Sequence, residues 1–147
     1  MEKRNAPPGY RIERLNIVRA EVARHGDWPP KADTFRLDLE YADRHKIEQG
    51  EVWFEATLIV HGVPVSAPDH PAATASATLD VVFKASAKPN IPAEQFAEQY
   101  APVILFPYLR EYISRLTSDL WPLPPMFLAP VNILAVRERR PPGTSSD

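Results

Sequence analysis

The run Ala101-Pro102-Val103-Ile104-Leu105-Phe106-Pro107-Tyr108-Leu109-Arg110-Glu111-Tyr112-Ile113, continued to Leu120, decides the fold. On a wheel of 3.6 residues per turn, Leu105, Phe106, Tyr108, Leu109, Tyr112, Ile113, Leu116 and Leu120 share one side. Their arc is about 160° wide, against ~100° for an ordinary surface helix. A stripe that wide can be covered from two directions, by the chain's own sheet and by another subunit. Pro102 and Pro107 stand five residues apart at the front of this helix, where a start or a kink is expected. Immediately upstream, Ala93 to Tyr100 consists largely of good helix formers, with acids near its start. Downstream, Trp121 to Pro130 is too rich in proline for either regular element, and Val131 to Val136 forms one short apolar turn or helix.

Ahead of the helices the period changes from 3.6 to 2. Phe35 to Tyr41 places apolar residues on one face and charges on the other. The same alternation runs through Val52, Phe54, Ala56, Leu58 and Val60, and through Ala75, Ala77, Leu79, Val81 and Phe83. These are half-buried antiparallel strands. An earlier stretch changes parity twice, from Tyr10/Ile12 to Leu15/Ile17 to Val18/Ala20/Val22. Its β-branched content and parity changes predict a strand with bulges that swap its faces. Prolines, 17 of the 147 residues, mark the ends and crossings between these elements, because a residue without an N–H is excluded from central strands and breaks helices. Strands followed by helices define an α+β domain. The expected organisation is a flexible N-terminus at 1–8, a folded domain at 9–136 and a flexible tail at 137–147.

Composition removes several function classes. With 44% hydrophobic and 24% charged residues the chain is an ordinary soluble globule. No apolar run reaches the ~20 residues of a membrane-spanning helix, and residues 1–8 lack the apolar core of a signal peptide. The absence of Cys excludes disulfides and thiol catalysis and agrees with a cytoplasmic location. A net charge of −2 with interspersed signs argues against nucleic-acid binding. His25, His45, His61 and His70 make no metal-ligand spacing, so neither a metal nor another cofactor is expected. Ser66, Asp69 and His70 share one proline-rich loop, but no strand–turn–helix surrounds the serine, and an Asx-type turn accounts for them. The chain reads as a protein without a catalytic site.

The helical run resembles the long-helix signature of the SecB export-chaperone family: a Pro, five residues, then Leu-Phe-Pro-Tyr-x-Arg-Glu. The second family motif follows at matching distance as Leu128-Ala129-Pro130-Val131-Asn132. Upstream, the similarity rests on strand order, on Leu37-Asp38-Leu39 and on Trp28-Pro29-Pro30. The resemblance implies a four-stranded antiparallel sheet packed on a long helix, with a short second helix. It also implies pairing of first strands into dimers and of long helices into a dimer of dimers. The implied function is that of a holdase, which binds unfolded or precursor polypeptides without ATP and delivers them to the translocation ATPase SecA.

A holdase needs exposed apolar grooves that tolerate many sequences. Candidates for client binding are Trp28 in the crossover, Trp53 and Ile59 on the polar face of the third strand, Trp121 and Phe127 in the proline-rich loop, and Ile133, Leu134 and Val136 after the second motif. For each Trp the alternative is a loop side chain packed on the core. Candidates for the oligomer interface are Ile12, Leu15 and Ile17 on the first strand and Leu105, Leu109, Tyr112 and Leu116 on the helix. Arg110 and Glu111, as neighbours in sequence, pair elsewhere rather than with each other.

Two departures from the family pattern bear on partners. Family members are strongly acidic, with acids on the sheet that dock SecA. Here Asp38, Glu40, Glu51, Glu55 and Asp80 on the outward faces are diluted by Arg36 and Lys84. The second helix, which normally continues well beyond Val-Asn, runs into Arg137 and then Pro141-Pro142. These features leave open a SecB-like guard of the antitoxin of a toxin–antitoxin pair. A non-catalytic α+β domain that binds a small ligand is the reading from a different class.

Overall fold

The computed structural model describes residues 9–25, 34–66, 69–120 and 131–138. Four strands come first: β1 (Tyr10–Arg24), β2 (Phe35–Glu48), β3 (Glu51–Pro64) and β4 (Ala73–Ala85). They form one antiparallel sheet in the order β1-β4-β3-β2. A continuous helical segment follows, made of α1 (Ala93–Gln95), a π-helical stretch (Phe96–Tyr100) and α2 (Ala101–Leu120), and then the short α3 (Ile133–Glu138). This is the α+β arrangement that the change of period predicts. Trp28, Trp121 and Phe127 lie outside the described residues, as do the ranges 1–8 and 139–147.

The parity changes in the first strand are bulges. Its register against β4 shifts between Ile12 and Arg14 and between Ile17 and Arg19. Each bulge returns apolar side chains to the inner face, so Ile12, Leu15, Ile17 and Val22 all pack partly against the core. One detail differs from expectation. Val18 is the residue passed over at the second shift, and it is 51% exposed instead of starting the third inward segment.

The second strand runs seven residues beyond the alternation that announces it. Asp43 and His45 lie on its inner face, opposite Ala56 and Phe54. There they meet polar partners from the helices: Asp43 Oδ2 accepts from Arg137 Nη1 at 3.1 Å, and His45 Nε2 lies 3.0 Å from Glu94 Oε2. At the end of β2, Gln49 and Gly50 both take positive φ, 49° and 80°. That is the two-residue hairpin geometry whose twist matches the strands.

The core is a layer between the inner sheet face and the helix. Val52, Ala56, Leu58, Val60 and Leu79 have no exposed surface, and neither have Leu105, Leu109 and Ile113 on α2. Phe96 is the pivot. Its ring stacks on Tyr10 at 4.3 Å, meets Phe83 edge-on at 4.9 Å and stacks with Tyr100 at 6.2 Å. Proline explains the π-helical stretch. The Ala101 N–H reaches back five residues to the Phe96 carbonyl, and Pro102 follows without an N–H for the carbonyl of Glu98. That carbonyl accepts from Arg137 Nη2 at 2.8 Å instead. Arg137 therefore ties α3 to both the helix and β2.

Gly9 anchors the other end. It has φ of +93°, and a Cβ there would stand 2.5 Å from the Pro89 Cα. Its carbonyl accepts from the Ser86 N–H at 2.8 Å. Gly9→Ala is expected to destabilise by roughly 1–3 kcal/mol through strain and backbone displacement. Urea denaturation followed by circular dichroism measures this directly; a change under 0.5 kcal/mol would contradict it.

Candidate functional site

The register sorts the outer sheet face into rows across all four strands. One row reads Arg14, Val82, Trp53, Lys46, and the next reads Asn16, Asp80, Glu55, Arg44. Together they line a pocket of about 400 Å³. Trp53 carries Arg14 at 5.4 Å and Lys46 at 5.5 Å from its ring centre. Its indole Nε1 is buried and meets no acceptor among the described residues. Arg44 holds Glu55 with two bonds, Nε to Oε1 at 2.9 Å and Nη2 to Oε2 at 3.3 Å. Ile59 lies on the same face as Trp53, six residues along β3, or roughly 20 Å away at the usual strand rise. These two predicted residues are therefore not brought together.

Asp80 is held above the ordinary carboxylate pKa, first by burial and then by the charge of Glu55, with Arg44 and Arg14 opposing and a hydrogen bond to Glu55 adding to the rise. The folded state thus disfavours its charged form, and stability is lost as pH climbs from about 3.8 through the raised value. Asp80→Asn is expected to be more stable than the parent at pH 7. The gain is small, because the carboxyl is only partly buried and is screened by solvent. It should vanish below the ordinary Asp range. Melting curves at pH 3.5 and 7 check the sign.

At the far end of the same face a polar chain crosses the strands. Glu40 Oε2 lies 2.6 Å from His61 Nε2, and Thr74 Oγ1 lies 3.0 Å from His61 Nδ1 and 3.1 Å from His25 Nε2. These side chains answer one another.

The second surface is the side of the helix turned away from the sheet. Tyr100, Val103 and Tyr108 are 39%, 51% and 44% exposed, and Pro107 and the half-buried Ile104 complete the patch. They recur at helical spacing, so they form one apolar stripe. Pro107 also deprives the Val103 carbonyl of its usual donor on this side. The wide stripe in the sequence is thus divided: Leu105 and Leu109 are wholly enclosed in the protomer's own core, while Tyr112 and Leu116 are half-buried at its margin. Leu105 and Leu109 therefore have no surface left for a partner, whereas Val103 and Tyr108 do. Sequence periodicity missed Tyr100 and Val103 because both lie off the core stripe; their signal is an apolar residue on the wrong side of the wheel.

On α3, Ile133 and Val136 are 2% and 8% exposed and belong to the core, whereas Leu134 is half-buried. The predicted interface residues Ile12, Leu15 and Ile17 lie on the inner face of an edge strand. Arg110 and Glu111 do pair elsewhere, Arg110 over the Phe106 ring at 5.8 Å and Glu111 with Arg115 at 3.0 Å. Among the described residues no helix is long and apolar enough to cross a membrane.

An antiparallel four-stranded sheet covered on one face by a helix, with apolar side chains left bare on the helix's other side, is the fold that the resemblance to the SecB export-chaperone family implies. The chain belongs to the SecB family: the family model described as preprotein translocase subunit SecB matches residues 16–140. Among solved structures it is similar to a SecB-like chaperone of Mycobacterium tuberculosis, determined in complex with a ChAD peptide from the HigA1 antitoxin. The two share 21% identity and superpose with a TM-score of 0.65 over 83% of this chain and 90% of that one. No curated protein sequence matches the chain.

Proposed function

We propose that this protein is a cytoplasmic holdase. It binds unfolded or precursor polypeptides without ATP, performs no chemistry on them and keeps them competent for export. The observation that carries this reading is the SecB family match over 16–140. The bare apolar stripe of α2 supports the assembly expected of such a chaperone, a dimer of dimers with helices facing helices. Free edge β1 supports strand pairing as the contact within each dimer.

The test is a nucleotide-free holding assay. A chemically unfolded precursor is diluted into purified protein and light scattering is followed. Suppression at about one assembly per client supports the reading, and addition of SecA then separates export from other duties. No suppression with any client would refute holding and leave the ligand-binding domain.

A second reading is a guard of one antitoxin. It is favoured by the antitoxin peptide bound to the SecB-like neighbour. Its signature is suppression of a single client.

The assembly has its own test. Val103→Asp combined with Tyr108→Asp buries two carboxylates in any helix-to-helix contact, which costs several kcal/mol per uncompensated charge. Light scattering after size exclusion is expected to show a dimer in place of a tetramer, with the protomer still folded because both positions are exposed. An unchanged tetramer would exclude this stripe as the interface.

A further inference from the structure

We propose that the Trp53 pocket on the outer sheet face is a docking site for an acidic segment of a partner polypeptide. The charge balance of its lining carries the inference. Four charged side chains from four strands face the pocket besides Lys46: Arg14, Arg44, Glu55 and Asp80. Glu55 is already neutralised by two bonds from Arg44. Asp80 is the second carboxylate, so the lining holds three cations against two carboxylates. Arg14 and Lys46 both lie over the indole, reaching it from strands on its two sides. Besides the ring, Lys46 has a long 3.6 Å contact to Glu48, and both side chains are about 60% exposed. Lys46 can turn toward an incoming carboxylate.

Trp53 adds a donor of its own. Its Nε1–H is buried without an acceptor, and a carboxylate or carbonyl oxygen entering between Arg14 and Lys46 supplies one. The flanking Val82, 5% exposed, gives an apolar floor beside the ring. An acidic face would select a basic partner; this spot has the opposite sign. An extended segment suits it, since carboxylates on alternate residues share one face at strand spacing. The inference concerns a partner surface and stands apart from the assembly contact proposed for the helix side.

The experiment titrates the full chain into a fluorescein-labelled octapeptide alternating Glu and Ser, with a Lys/Ser octapeptide and a fluorescein-labelled DNA octamer as controls. Saturable anisotropy change with the Glu peptide alone, weakening at least tenfold between 50 and 500 mM salt, is the expected result, roughly what screening of two ion pairs predicts. Arg14→Glu with Lys46→Glu is expected to abolish binding. Trp53→Phe, which removes the N–H and part of the ring surface but keeps an aromatic floor, is expected to weaken it about three- to tenfold; it also keeps the test decisive if the charge reversal fails to fold. Absence of binding, equal binding of the Lys peptide or unchanged affinity in a folded Arg14/Lys46 variant would overturn the proposal. Equal or tighter binding of the DNA would overturn the choice of a polypeptide.

Discussion

Phe96→Ala is expected to lower stability by about 3–5 kcal/mol, the range for emptying a fully enclosed aromatic site. Phe96 has no exposed surface and touches three rings from three places in the chain: Tyr10 on β1, Phe83 on β4 and Tyr100 one turn on. Removing it opens a cavity where the helix begins, and the surrounding strands, paired along their whole length, have little room to collapse into it. For a chain of this size the loss corresponds to a fall in Tm of roughly 10–20 °C. Phe96→Leu keeps most of the volume and is expected to lose only about 1–1.5 kcal/mol. Urea denaturation of both variants checks the ratio. A loss below 1 kcal/mol for the alanine variant would mean that the ring cluster does not anchor the helix.

The second large effect is expected at Arg137. Its guanidinium is 22% exposed and holds the 10%-exposed Asp43 at 3.1 Å while donating to the Glu98 carbonyl at 2.8 Å. Arg137→Ala leaves a carboxylate and a carbonyl without those donors on the inner side. About 2–4 kcal/mol is expected, at or below the cost of breaking a fully buried pair. Because α3 has six residues and docks through Ile133, Val136 and Arg137, the loss should localise there. Hydrogen exchange across 133–138 is expected to accelerate while β3 and β4 stay protected. Adding Asp43→Asn to Arg137→Ala removes the stranded charge and is expected to recover about half of the loss. No recovery would mean that the Glu98 carbonyl, not Asp43, is the partner that matters.

These two sites differ in how far they could be read from the chain. Phe96 lies in a stretch of helix formers, and its helix is legible from composition; that it meets Tyr10 and Phe83 is not, because those contacts join residues more than ten positions apart. Asp43 and His45 are harder still. Two polar residues on the inner face end the apparent strand at Tyr41, although the strand continues to Glu48. Periodicity assumes that an inward residue is apolar, and here helix side chains satisfy inward polar ones. The candidate site shows the same limit. Trp53 is recognisable as an aromatic on a polar face, whereas its neighbours Arg14, Val82 and Lys46 come from three other strands and depend on register.

By itself the sequence determined the classes of element, their order, the two bulges of β1 and the family. Each of these follows from local periodicity, from proline's missing donor or from contiguous motifs. Only the tertiary structure decided which side of the wide helical stripe belongs to the protomer. It enclosed Leu105 and Leu109 and left Val103 and Tyr108 bare. It likewise set which cations flank Trp53. Both outcomes depend on the docking angle of helix on sheet and on strand register. Those are settled by the fit of side chains distant in sequence, and a one-dimensional pattern does not carry that information.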